Sequence, residues 1–150
     1  MKKSASPKTL KQFWKLKRQI QLKSFRDWVT FAGHGDRVRD YIDMNVLEFR
    51  KYIESQMLPG MTWENYRKEW VIDHIVALKY FNPTDLKDMA LCWNYNNLKP
   101  SWFDHNHAKG YCVEVTVKIL EGLPQNAMVK NLLQKVEPVR NMFEPYYKTA

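Results

Sequence analysis

The chain has 150 residues, of which 45% are hydrophobic, 14% aromatic and 27% charged, the size and balance of one globular domain; two independent cores are not expected, and wholesale disorder is excluded. No apolar run approaches the ~20 residues of a membrane helix, and no apolar segment follows the basic start Met1-Lys2-Lys3-Ser4 as it would in a secretory signal. Net charge is +8, and its excess lies in residues 1–30, where Lys2, Lys3, Lys8, Lys11, Lys15, Lys17, Arg18, Lys23 and Arg26 face a single acidic residue, Asp27.

That asymmetry describes a basic arm, residues 1–30, on a neutral body, as suits a polyphosphate partner. A solubilising tail or a Lys-rich mitochondrial presequence is the alternative. Two cysteines, Cys92 and Cys112, build neither a disulfide framework nor a four-cysteine zinc site, so a reducing cytoplasm is the expected compartment.

Within the arm, Leu10, Phe13, Trp14, Leu16, Ile20, Leu22, Phe25, Trp28 and Val29 recur at mixed threes and fours, which predicts a basic amphipathic helix over 8–29. Gly33-His34-Gly35-Asp36 reads as a turn, with His34 a loop residue. Asn45 and Glu48 form a helix-start signature ahead of Val46, Phe49, Ile53 and Met57, and Pro59-Gly60 stops that helix. Residues 31–69 are thus a helical lead-in.

Residues 70–80, Trp-Val-Ile-Asp-His-Ile-Val-Ala-Leu-Lys-Tyr, are β-branched and aromatic around one Asp-His pair and predict a strand. Asn82-Pro83-Thr84-Asp85 predicts a turn, Asp85–Ala90 a short helix, and Leu91–Leu98 a second extended segment. Ser101 with Asp104 resembles a capping box opening a short helix that ends near Gly110. Val113, Val115, Val117 and Ile119 alternate as in a strand, a continuing helix being the alternative. Val129, Leu132, Leu133 and Val136 predict a helix over 126–136, stopped by Pro138.

Polar residues sit awkwardly in this middle region. Burying an acid and an imidazole in a strand costs several kcal/mol unless each is paired, so Asp73-His74, followed by Asn97 and then by Asn106 and Lys109, asks for a purpose. Ile72-Asp73-His74-Ile75, Asn97-Leu98-Lys99-Pro100 and Asn106-His107-Ala108-Lys109-Gly110 resemble the HNH nucleases of the ββα-metal fold. The spacing from Asn97 to Asn106 matches that in the HNH domain of Cas9-type proteins. Ile53-Glu54-Ser55-Gln56-Met57 and Gly60-Met61-Thr62-Trp63-Glu64-Asn65-Tyr66 resemble the lead-in of HNH endonucleases carried by phages, large viruses and mobile introns. The likeness spans about residues 45–110.

The resemblance implies an α+β fold: a small ββα-metal core over 70–112, a two-stranded hairpin plus a short helix, wrapped by further helices, with a mainly helical extension over 113–150. It implies a metal-dependent endonuclease of the homing type that nicks or cuts double-stranded DNA, in the host cytoplasm if encoded by a phage or virus. His74 would be the general base, suited by an imidazole's near-neutral titration. Asp73 and Asn106 would hold one ion, and hard oxygen donors of this kind suit Mg²⁺ or Mn²⁺. Asn97 would buttress the loop and fix the working tautomer of the His74 ring.

Lys109 shares a helical face with Asn106 and would touch phosphate, as would Lys11, Lys15, Lys17, Arg18, Lys23 and Arg26 of the arm. Other HNH proteins place a His at the last ligand position, but His105 and His107 each point about 100° from Asn106 on a regular helix, which keeps Asn106 as ligand. Neighbours on a regular strand face opposite sides, so a bulge, twist or strand end is expected at Asp73-His74. Trp63, Trp70, Trp93 and Trp102 are expected to supply the packing that zinc supplies in cysteine-rich relatives. A membrane partner is not expected, and a monomer with a single base and a single ion would cut one strand per engagement. Two other readings remain: a DNA-binding module of the same fold without catalysis, and a nonspecific or packaging-associated nuclease.

Overall fold

The computed structural model describes residues 8–103 and 113–147. Its regular elements are α1 (Leu10–Val29), α2 (Arg39–Ile42), α3 (Val46–Glu54), β1 (Trp70–His74), α4 (Leu86–Cys92), β2 (Leu98–Trp102), α5 (Val113–Glu121) and α6 (Ala127–Tyr147), with single 3₁₀ turns at Leu78–Tyr80 and Tyr95–Asn97. The fold is α+β: one antiparallel hairpin, β1 against β2, surrounded by helices.

Local chemistry explains most helix starts. Thr9 accepts from the Gln12 N–H at 3.1 Å to open α1. Asn45 and Glu48 form a reciprocal capping box at α3, and the Asp85 carboxylate accepts from the Lys87 and Asp88 N–H groups at α4, so orphan donors are satisfied at each end. In the turn after α1, Gly35 has φ +65°, and a Cβ there would lie 2.7 Å from the Trp28 side chain. His34 beside it is exposed, as a loop residue should be.

Packing then orders these pieces. Phe25, Trp28, Phe49 and Trp93 form an aromatic cluster with centroids 5.3–6.3 Å apart, joining α1 and α3 to the segment before β2. The C-terminal half of α1 therefore belongs to the core: Phe25, Trp28 and Val29 are buried, Arg18 Nη2 donates to the Phe81 carbonyl at 2.9 Å and Gln21 Nε2 to that of Pro83 at 3.0 Å. Trp70 and Trp93 are fully buried, with Trp63 and Trp102 packed half-buried against the core. On the far side α5 and α6 bury Val117 and Leu120 against Val129, Leu132 and Val136, and Lys135 of α6 pairs with Asp88 of α4 at 2.5 Å.

Several sequence expectations are corrected. The first strand stops at His74 rather than running to residue 80, because the buried Ile75 and Val76 bond back to Asn97 and the chain then tightens into a 3₁₀ turn. Leu91–Leu98 is not extended. Asp85 drives α4 on to Cys92, the Asn94 side chain accepts from the Asn96 N–H at 3.0 Å to make a turn, and β2 begins only at Leu98. Ser101 pairs with Val71 inside β2 and is no helix cap; the helix expected beyond it, like Asn106, Lys109, His105, His107 and Cys112, falls outside the described residues.

Residues 113–121 form a helix, since Thr116 and Leu120 are buried with Val113 and Val117 while Val115 is exposed. Pro138 does not stop α6. Its apolar face, Val129, Leu132, Val136 and Val139, continues across the proline, and that packing offsets the lost backbone bond.

Candidate active site

Asp73 and His74 end β1. The ladder pairs one to one, Asp73 with Lys99 and His74 with Leu98, so there is no bulge; the expected strand end is what is found. Alternation along the strand buries Trp70, Ile72 and His74 and leaves Val71 and Asp73 half-buried. Because the chain turns away immediately after His74, Asp73 and His74 nevertheless line one cleft of about 280 Å³.

Asn97 holds that turn. It is fully buried, its Oδ1 accepts from the Val76 N–H at 2.8 Å, and its Nδ2 donates to the carbonyls of Val76 at 3.2 Å and Cys92 at 3.0 Å. Its own carbonyl accepts from the Ile75 N–H at 2.8 Å. Asn97 thus ties the two residues after His74 to the end of α4, Ile75 through its backbone carbonyl and Val76 through its side chain. Its side-chain bonds go to backbone, and the His74 ring is packed edge-on against Trp93 with centroids 4.5 Å apart. The aromatic core thus packs directly against the imidazole.

Two guanidiniums share the cleft with Asp73 and His74: Arg26 from α1 and Arg67 from the loop before β1. Among the described residues neither has an ion-pair partner, and Asp73 is the only carboxylate lining the cleft. Arg67 has φ +66°, a sparsely populated conformation for a long side chain, fixed by its N–H bonding to the Trp70 carbonyl at 2.7 Å. Tyr66 lies between them with its phenol pushed up to about 12 by burial, against the opposing pull of Arg67, Arg26 and Arg50. The cleft is thus positively biased around one acid and one imidazole. Cys92, whose thiol burial pushes up, takes no part in it.

The other basic residues expected to bind DNA divide into two groups. Lys11 and Lys15 are exposed, and Lys17 lies 5.4 Å from the Phe13 ring centroid. Arg18 is half-buried on Phe81, and Lys23 pairs with Asp27 at 2.5 Å; both have intramolecular work. Sequence reasoning missed Arg67, Tyr66 and the contact of Trp93 with His74. A basic residue three places ahead of the strand was the only available signal for Arg67, since its approach to the cleft depends on the left-handed turn.

Among the described residues no group of three or more His, Cys, Asp or Glu side chains could hold a metal ion, and no helix is long and apolar enough to cross a membrane. No family model matches the chain, and no solved structure matches it. The chain is similar to two uncharacterized proteins of Acanthamoeba polyphaga mimivirus. With one it shares 33% identity over 73 residues, 48% of this chain and 32% of the relative. With the other it shares 31% over 52 residues, 35% of this chain and 23% of the relative. The match thus spans about a third or less of each relative's length.

Proposed function

We propose that this chain is a metal-dependent DNA endonuclease of the HNH type, hydrolysing a phosphodiester with His74 as general base, and that it nicks or cuts DNA in the manner of the homing enzymes it resembles. The observation that carries this reading is the convergence of Asp73, His74, Arg26 and Arg67 on one cleft whose floor is locked by Asn97. The large-virus source of its relatives fits the lineage in which such nucleases travel.

The donor set suits a hard dication. Asp73 offers a half-buried carboxylate to the cleft, Asn106 would add an amide oxygen, and two oxygen donors with open positions match one Mg²⁺ or Mn²⁺. Such an ion supplies charge to offset the build-up on phosphate and leaving oxygen. The chain's own groups do the rest. His74 takes the proton of the attacking water, Trp93 packs edge-on against its ring, and Arg26 and Arg67 draw the phosphate backbone in by charge-assisted hydrogen bonds. A single base implies one strand cut per engagement by a monomer.

Asp73→Ala is expected to weaken Mn²⁺ binding, read by electron paramagnetic resonance, and to abolish cleavage. Asn106→Ala should do the same, while His105→Ala and His107→Ala stay mild; loss of metal in His107→Ala alone would reassign the ligand. Deleting residues 1–26 is not the way to test the basic helix, because Phe25 is core. Replacing Lys11, Lys15 and Lys17 together by Gln keeps α1 docked. It should flatten the slope of log K against log salt by about three units. An unchanged slope would leave these lysines to solubility alone.

A further inference from the structure

The C-terminus of α1 carries an anomaly that the cleft does not use. Thr30 caps the helix; beyond it the Phe31 N–H bonds to the Trp28 carbonyl at 3.2 Å and the Ala32 N–H to that of Asp27 at 2.7 Å. These are the two bonds of a Schellman ending, whose left-handed position normally belongs to glycine. Here it holds Phe31, with φ +61° and 59% of its surface exposed. A bulky side chain in this conformation is disfavoured, and burial does not repay it.

What surrounds Phe31 points to a ligand. The Arg50 guanidinium lies 4.8 Å from its ring centroid and 3.8 Å from that of Trp63, held by a bond to the Val29 carbonyl. Among the described residues Arg50 makes no ion pair, and Glu54, one turn on, is taken by Trp63 Nε1 at 2.7 Å. Asp27, beside Gly33, is neutralised by Lys23. Phe31 also borders an open pocket of about 500 Å³ with Trp28, His34 and Val46, ample for a nucleotide. In the other direction Trp63 packs on Tyr66 with centroids 5.6 Å apart, and Tyr66 lines the cleft of Asp73 and His74.

The geometry points to Phe31 as a stacking shelf for an unpaired base of a DNA strand that runs from the cleft past Trp63 and Arg50. An exposed aromatic face backed by an uncompensated guanidinium is what single-stranded nucleic acid binds. The inference rests on the DNA reading above and narrows it: the substrate has an unstacked or single-stranded segment beside the bond that is cut.

Phe31→Gly is the decisive variant because it should relieve the helix ending instead of damaging it. Fluorescence anisotropy with a single-stranded oligodeoxynucleotide and the blunt duplex of the same sequence, in chelator so that no cleavage intervenes, reads both affinities. Expected are a thermal midpoint equal to or above wild type, a single-strand affinity roughly five- to a hundredfold weaker, unchanged duplex affinity, and recovery in Phe31→Trp. Unchanged single-strand binding overturns the shelf, as does a lowered midpoint with equal loss on both DNAs, which would make Phe31 structural. A changed sedimentation coefficient would overturn it too, by assigning the patch to a second copy of the chain. If wild type never cleaves but the Phe31 effect holds, the nuclease reading fails alone; if it cleaves and Phe31 is neutral, the shelf fails alone.

Discussion

His74→Ala is expected to lower single-turnover cleavage by ~10²–10⁴-fold, the usual consequence of losing a general base, with DNA affinity nearly unchanged. The split follows from the placement of the ring. His74 is buried at the end of β1 against Trp93, so it is poorly placed to contribute to docking of a duplex, and as a general base it would act only in the transition state. With the wild-type chain the cleavage rate should fall as acidity rises, because a protonated imidazole cannot accept a proton from water. Free imidazole should restore part of the activity by entering the vacated space. A variant that cuts at the wild-type rate, or that stops cutting only because it stops binding, removes His74 from the role.

The second large effect falls on stability. Asn97→Ala strips partners from the Val76 N–H and from the carbonyls of Val76 and Cys92 at a fully buried position. Each buried group left unsatisfied costs about 1–3 kcal/mol, so a loss of about 3–5 kcal/mol is expected in urea unfolding, a large part of the total for a domain of this size. Cleavage measured at low temperature, where the variant remains folded, should also fall, since the turn after His74 is no longer fixed. Asn97→Asp keeps the bond from the Val76 N–H but sets a buried carboxylate oxygen against the carbonyls of Val76 and Cys92, so at neutral pH it should be at least as destabilising as Ala. Wild-type stability in Asn97→Ala would show that the turn is held by other contacts.

Much of the frame is legible in local chemistry. The Asn45–Glu48 capping box and the Asp85 cap follow from short-range rules, because the relevant partners lie within four residues. An irregularity at Asp73-His74 was legible for a different reason, since two polar residues cannot both face one site from mid-strand; that it takes the form of a strand end, not a bulge or twist, was not.

What escaped was decided by distant partners. Ile75 and Val76 read as strand, but Asn97, 21 residues away from Val76, claims their N–H groups. Val113, Val115, Val117 and Ile119 alternate, but the burial that matters runs through Thr116 and Leu120 against α6. Pro138 should end a helix on propensity, yet the apolar stripe crosses it. In the candidate site, Asp73, His74, Asn97 and Arg26 were visible as residue types in a pattern. Arg67 was not, because only a left-handed turn delivers it to the cleft.

The central claim is that this cleft hydrolyses DNA with a divalent ion. Supercoiled plasmid incubated with the full chain and Mg²⁺, beside parallel reactions in chelator and with Asp73→Ala, tests it most directly. Nicked circles that accumulate with wild type and Mg²⁺, and in neither parallel reaction, are the expected result. Plasmid that stays supercoiled under all three conditions, while the protein demonstrably binds it, would contradict the claim.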